Sequence, residues 1–136
     1  MKKSVVFQIG MKAFLPLLLI GSVLIFWRGH QLPGGGFIGG LVAGSTLAAH
    51  AFCFGSEATR KFVRFHPLWF VIVGLFFALV SGIISAFAGV DPFTGLWIKT
   101  PLLGDLGTPL LFDLGVYSLV IGFVLVFITE TLREDP

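Results

Sequence analysis

Apolar residues along this chain gather into four long runs, separated by short polar or glycine-rich stretches. The runs extend from about Val5 to Trp27, Phe37 to Phe54, Leu68 to Gly89 and Leu110 to Thr129. A hydrocarbon core roughly 30 Å thick takes about 20 helical residues to cross, and each run meets that length. The second is the shortest, and Gly34 to Gly36 extend it. Backbone inside lipid must satisfy its own hydrogen bonds, so apolar runs of this length predict helices. The expected fold is all-α: a single transmembrane domain over residues 1–136, with helices near 5–27, 37–54, 68–89 and 110–129.

Composition agrees. Apolar residues make up 56% of the 136 positions and charged residues 12%, about half the roughly 25% charge of a soluble domain. A globule this small has no interior able to hide so much apolar surface. The net charge is only +2 and no basic face runs along a polar helix, which excludes nucleic acid as a partner. The single cysteine, Cys53, has no internal disulfide partner, and no Cys/His spacing suits zinc. No metal or cofactor is expected. Lys2 and Lys3 ahead of an apolar run resemble a signal peptide, but that run ends in Trp27-Arg28-Gly29-His30 without a small-x-small cleavage site, so an uncleaved first helix is expected.

Charge sets the expected orientation. Lys2, Lys3, Lys12, Arg60, Lys61, Arg64 and Arg133 fall at the N-terminus, the 55–67 loop and the C-terminal tail, against Arg28 and Lys99 on the other side. The positive-inside rule then places both termini in the cytoplasm. Loops 28–36 and 90–109 face outward, with Trp27 and Trp97 at the outer boundary and Trp69 at the inner one.

The second run carries Gly36, Gly40, Gly44 and Ala48 at four-residue spacing, beside Gly39, Ala43, Thr46 and His50. The third aligns Gly74, Ala78, Ser81, Ser85 and Ala88, and the fourth Gly115, Ser118 and Gly122. Small-residue stripes let helix backbones approach closely in lipid. So many of them in four helices suggest that some face other membrane proteins; packing within the bundle is the alternative for any one stripe.

The segment from Arg28 to Gly40 is the densest in glycine. Gly34, Gly36 and Gly39 fit G-x-G-x-x-G, but no strand precedes them and the following helix is transmembrane, so a dinucleotide site is excluded. Pro33 lacks a backbone donor and breaks regular helix, and irregular backbone at membrane depth needs protein or water beside it. Pro33, Gly34, Gly35, Gly36, Gly39, Gly40 and Gly44 are therefore candidate packing or interface residues.

Gly29-His30 with Pro33-Gly34-Gly35-Gly36-Phe37 and Gly39-Gly40-Leu41 resembles the signature of the MnhB-type component of Mrp (Mnh) multisubunit sodium/proton antiporters. Gly107-Thr108-Pro109-Leu110-Leu111-Phe112-Asp113-Leu114-Gly115-Val116-Tyr117 is similar to the start of that family's last helix. Leu32 departs from the polar residue that precedes the proline in many members. The resemblance implies a small integral subunit, in the cytoplasmic membrane of a prokaryote, of a complex exchanging sodium ions for protons. Its partners would be the other membrane subunits. Related subunits in membrane-bound hydrogenases and other relatives of respiratory complex I supply the alternative host.

A charge at the bilayer centre costs roughly 2.5–3.5 kcal/mol on insertion scales, so intramembrane polar groups are candidates for an ion path. Asp113 lies three residues into the fourth run, with Tyr117 at i+4 on the same face and able to hydrogen-bond it. The bland alternative is a first-turn carboxylate complementing the helix dipole. His30 belongs to the same outer level, where Arg28, Asp105 and Asp113 suggest a polar vestibule. His50, with Thr46 one turn away, sits in the cytoplasmic third of the second run and titrates near neutrality, as a proton relay requires; a hydrogen bond to a neighbouring helix carbonyl is the packing alternative. Lys12 is expected to snorkel to the headgroups.

An intramembrane enzyme would need a nucleophile with its base, or metal ligands, at one depth. No H-E-x-x-H, G-x-S-x-G or carboxylate pair is present, so the chain is not expected to be an enzyme. A homo-oligomeric channel is suggested by the glycine stripes alone. Independent alternating access is disfavoured, since the chain shows no clear internal repeat around a midplane site.

Overall fold

The computed structural model describes residues 4–29, 35–102 and 104–133. Four spanning helices dominate: α1 (Val5–Arg28), α2 (Gly35–Phe54), α4 (Pro67–Phe87) and α5 (Thr108–Thr131). A short helix, α3 (Ser56–Val63), follows α2, and a hairpin of β1 (Trp97–Thr100) and β2 (Gly104–Gly107) precedes α5. The spanning helices begin and end within two residues of the apolar runs. Gly35 and Gly36 are helical, so α2 does gain length from the glycine segment. Pro67 and Pro109 sit in the first turns of α4 and α5, where a missing N–H costs nothing.

The helices form an open arc in the order α1–α2–α5–α4. α2 and α5 run parallel at its centre: Gly36 abuts Asp113, Gly40 abuts Tyr117 and Val120, and Gly44 abuts Val124. α1 is antiparallel to α2, with Ser22 and Phe26 against Gly39 at one end and Met11 and Leu15 packed with Cys53 at the other. α4 is antiparallel to α5; Gly74 faces Gly115, and Gly122 faces Phe70 and Val71. α2 is the most covered span and α1 and α4 the least. The outer sides of the arc are Phe, Leu, Ile and Val exposed to the surroundings, as membrane helices require.

These contacts redirect one expectation. The glycine faces are taken up inside the chain, not left for foreign proteins. A Cβ at Gly74 would lie 2.6 Å from the Gly115 carbonyl oxygen, one at Gly115 equally close to that of Gly74, and one at Gly122 2.7 Å from the Val71 nitrogen. A Cβ at Gly36 would collide with the Asp113 backbone. The glycines that meet no neighbour within 4 Å are instead Gly10 and Gly21 in α1 and the turn glycines Gly89 and Gly104.

Connections carry more structure than hydropathy suggests. Ser56–Val63 is amphipathic, with Thr59 fully buried and Glu57, Arg60 and Lys61 exposed. Arg64 ends it in the left-handed region at φ 67°. Past α4, the 88–107 segment is stapled back onto the helix ends. Ser85 Oγ donates to the Thr94 carbonyl at 2.7 Å, Leu96 N–H donates to Thr108 Oγ1 at 3.1 Å, and the Phe93 ring covers Gly82. The strands pair antiparallel with Trp97 opposite Gly107 and Lys99 opposite Asp105. Both described chain ends lie on the α3 side of the arc.

Candidate functional site

One group of polar side chains lies where α1, α2 and α5 meet. Ser22 is fully buried and donates its single proton to the Leu19 carbonyl at 2.7 Å. Its contact with Tyr117 Oη at 2.9 Å is therefore one in which the tyrosine donates. The Tyr117 ring lies 5.2 Å from that of Phe26. Gly39 and Gly40 make this reach feasible: without their side chains, α2 lets the tyrosine pass from α5 to α1. The Tyr117 hydroxyl thus meets Ser22 on α1, a partner the i+4 spacing to Asp113 does not indicate.

Asp113 sits one turn earlier on α5, half-buried, with its backbone against Gly36 in the first turn of α2. α5 begins at Thr108 and has no acidic residue in its first turn. Asp113 is therefore about 7.5 Å along the axis, beyond the turn over which a helix's own dipole acts. The first-turn explanation for this carboxylate does not hold.

His50 and Thr46 part company. Thr46 is buried and donates to the Val42 carbonyl of its own helix at 2.7 Å. His50 Nδ1 instead meets Thr59 Oγ1 on α3 at 2.7 Å, with its ring beside Phe54 at 4.7 Å and Phe62 at 5.3 Å. The histidine partner is therefore a hydroxyl on a short flanking helix, not a spanning-helix carbonyl. Lys12 Nζ lies 5.7 Å from the Phe54 ring centroid, and Gln8 Nε2 donates to the Cys53 carbonyl at 3.3 Å. His30, Pro33 and Gly34 lie outside the described residues.

Depth separates these groups. Tyr117 is level with Gly40, and Thr46 and His50 follow about 9 and 15 Å further along α2. Between the Tyr117–Ser22 pair and the His50–Thr59 pair the seam is filled by Ala43, Leu47, Ile121 and Leu125, with Leu19 packed against them. Two polar clusters thus flank an apolar plug, within which the buried Thr46 hydroxyl is turned onto its own helix. Among the described residues no group of three or more His, Cys, Asp or Glu is placed to hold a metal ion. Ser22 and Thr59 escaped the sequence reading because a lone hydroxyl in an apolar run signals nothing until its partner is known.

Residues 6–126 match a family model described as a domain related to the MnhB subunit of Na+/H+ antiporter. The chain is 37% identical over 124 residues to the B-type component of the Na(+)/H(+) antiporter of Alkalihalophilus pseudofirmus, covering 88% of this chain and 85% of that one. It is 31% identical to the B-type component of the Na(+)/H(+) antiporter of Bacillus subtilis, over 97% of this chain and 94% of the relative. The A/B-type component of a probable K(+)/H(+) antiporter of Rhizobium meliloti is 32% identical over 92% of this chain, which spans 13% of that protein. With four spanning helices and this match along nearly its whole length, the chain belongs to the MnhB family of multi-pass membrane proteins.

Proposed function

We propose that this chain is a non-catalytic subunit of a multisubunit sodium/proton antiporter in the cytoplasmic membrane of a prokaryote. In this reading both termini and α3 face the cytoplasm, because Lys12, Arg60, Lys61, Arg64 and Arg133 cluster at that end. The observation that carries the subunit role is the apolar plug between the two polar clusters. A chain that moved ions unaided would need polar groups, or water, through that depth. Asp113 and Tyr117 at one end, and His50 at the other, instead suit short polar inlets completed by neighbouring proteins of the complex. Thr46, bonded within its own helix, contributes to packing.

Affinity purification of the tagged chain from native membranes, followed by reconstitution with and without its companions, tests this. Larger membrane subunits are expected to copurify, with sodium/proton exchange present in the assembly and absent from liposomes holding this chain alone. Exchange by the isolated chain at the rate of the assembly would overturn the proposal.

A further inference from the structure

Where α3 meets the start of α4 and the end of α5, the surface folds into a cavity of about 390 Å³. Its lining carries both signs on each side, Glu57 and Arg60 from α3 and Glu130 and Arg133 from the end of α5, together with His66 and the apolar Leu68. These charges are not consumed by one another. The Arg133–Glu130 contact is 4.0 Å long with side chains 79% and 65% exposed, too long and too wet to hold either group. Glu57 and Arg60 have no ion-pair partner within 4.0 Å among the described residues. His66 Nδ1 accepts the Leu68 amide at 3.3 Å, leaving Nε2 as the ring's other polar atom.

A lone cation in this cup meets two guanidiniums, and a lone anion meets two carboxylates. A ligand carrying both signs a few ångströms apart answers all four groups. The cup lies at the ends of two spanning helices, where Pro67 opens α4 and Thr131 closes α5. Trp69, 59% exposed in the first turn of α4, marks the same interfacial level. At that level a phospholipid headgroup is the abundant dipolar ligand. A primary ammonium offers the carboxylates three N–H donors, whereas a trimethylated one offers none. An apolar crevice is also present on the first turns of α4, lined by Phe65, Trp69, Phe70, Val73 and Ser118.

We propose that this cup binds the headgroup of an ethanolamine phospholipid, with the phosphate held by Arg60 and Arg133 and the ammonium by Glu57 and Glu130. The test uses the full chain with its copurifying companions, in nanodiscs of equimolar phosphatidylethanolamine, phosphatidylcholine and phosphatidylglycerol, with retained lipid read by native mass spectrometry. The expected result is a several-fold excess of phosphatidylethanolamine over the other two. Glu57→Gln with Glu130→Gln abolishes that excess, and Arg60→Gln with Arg133→Gln lowers retention of all three. Equal retention of the three lipids, an excess of phosphatidylglycerol, or occupation of the cup by a cross-linked peptide of a companion protein would each overturn the proposal. Should a double variant lose helicity, the single exposed changes Glu130→Gln and Arg133→Gln carry the two comparisons, reduced selectivity and reduced retention respectively.

Discussion

Tyr117 is the residue on which the α1/α2/α5 junction turns, because its hydroxyl ties α5 to α1 past a helix stripped of side chains at Gly39 and Gly40. Interhelical hydrogen bonds in membranes average about 0.6 kcal/mol and reach about 1.7. Tyr117→Phe is therefore expected to lower unfolding stability in detergent by about that amount, while helicity and abundance persist. Asp113→Asn is expected to reduce sodium/proton exchange by the assembled complex and alter its dependence on pH and sodium, with the amount of this chain in the membrane unchanged. An unchanged profile would remove Asp113 from ion handling. At this scale the sequence was informative about which side chains are unusual and silent about what they touch. Asp113 and His50 stand out because polar groups are rare in apolar runs. The contacts at these levels do not, since Tyr117–Ser22 joins positions 95 residues apart and the Thr59 hydroxyl that meets His50 lies in a loop by hydropathy.

Among the elements, α3 is the shortest helix and leans on α2, with Val63 packed on the apolar cluster. Eight residues make too short a helix to stand alone in water, and α3 is held by Thr59 against His50 and by Phe62 over the same ring. His50→Ala and Thr59→Val are both expected to loosen it, read as faster tryptic cleavage after Arg60 and Lys61 in detergent. A relay role for His50 separates the two variants: His50→Ala then shifts the pH profile of exchange and Thr59→Val does not. The hairpin was equally hidden, because four-residue strands bounded by glycine give no long periodicity. The spanning helices were legible almost to the residue, since bilayer thickness fixes their length and hydropathy their position.

For the molecule as a whole, the glycine stripes showed that faces pack but not which helix each one meets. Gly74 and Gly115 hold α4 to α5 through backbone approach, so Gly74→Leu is expected to cost about 1–3 kcal/mol by overpacking and to detach α4. That detachment is read as cross-linking lost between cysteines introduced across the α4–α5 seam. Gly21→Leu, where nothing lies within 4 Å, is expected to leave the isolated chain's stability nearly unchanged. If Gly21→Leu nonetheless halves recovery of the assembly, α1 meets a neighbour there.

Helices strung α1–α2–α5–α4 enclose no lumen. A chain of this shape offers a conduit only a side wall, and the opposing wall must come from whatever stands across from it. On the proposed reading, the spacing between this chain and that neighbour sets how far water reaches between the two clusters.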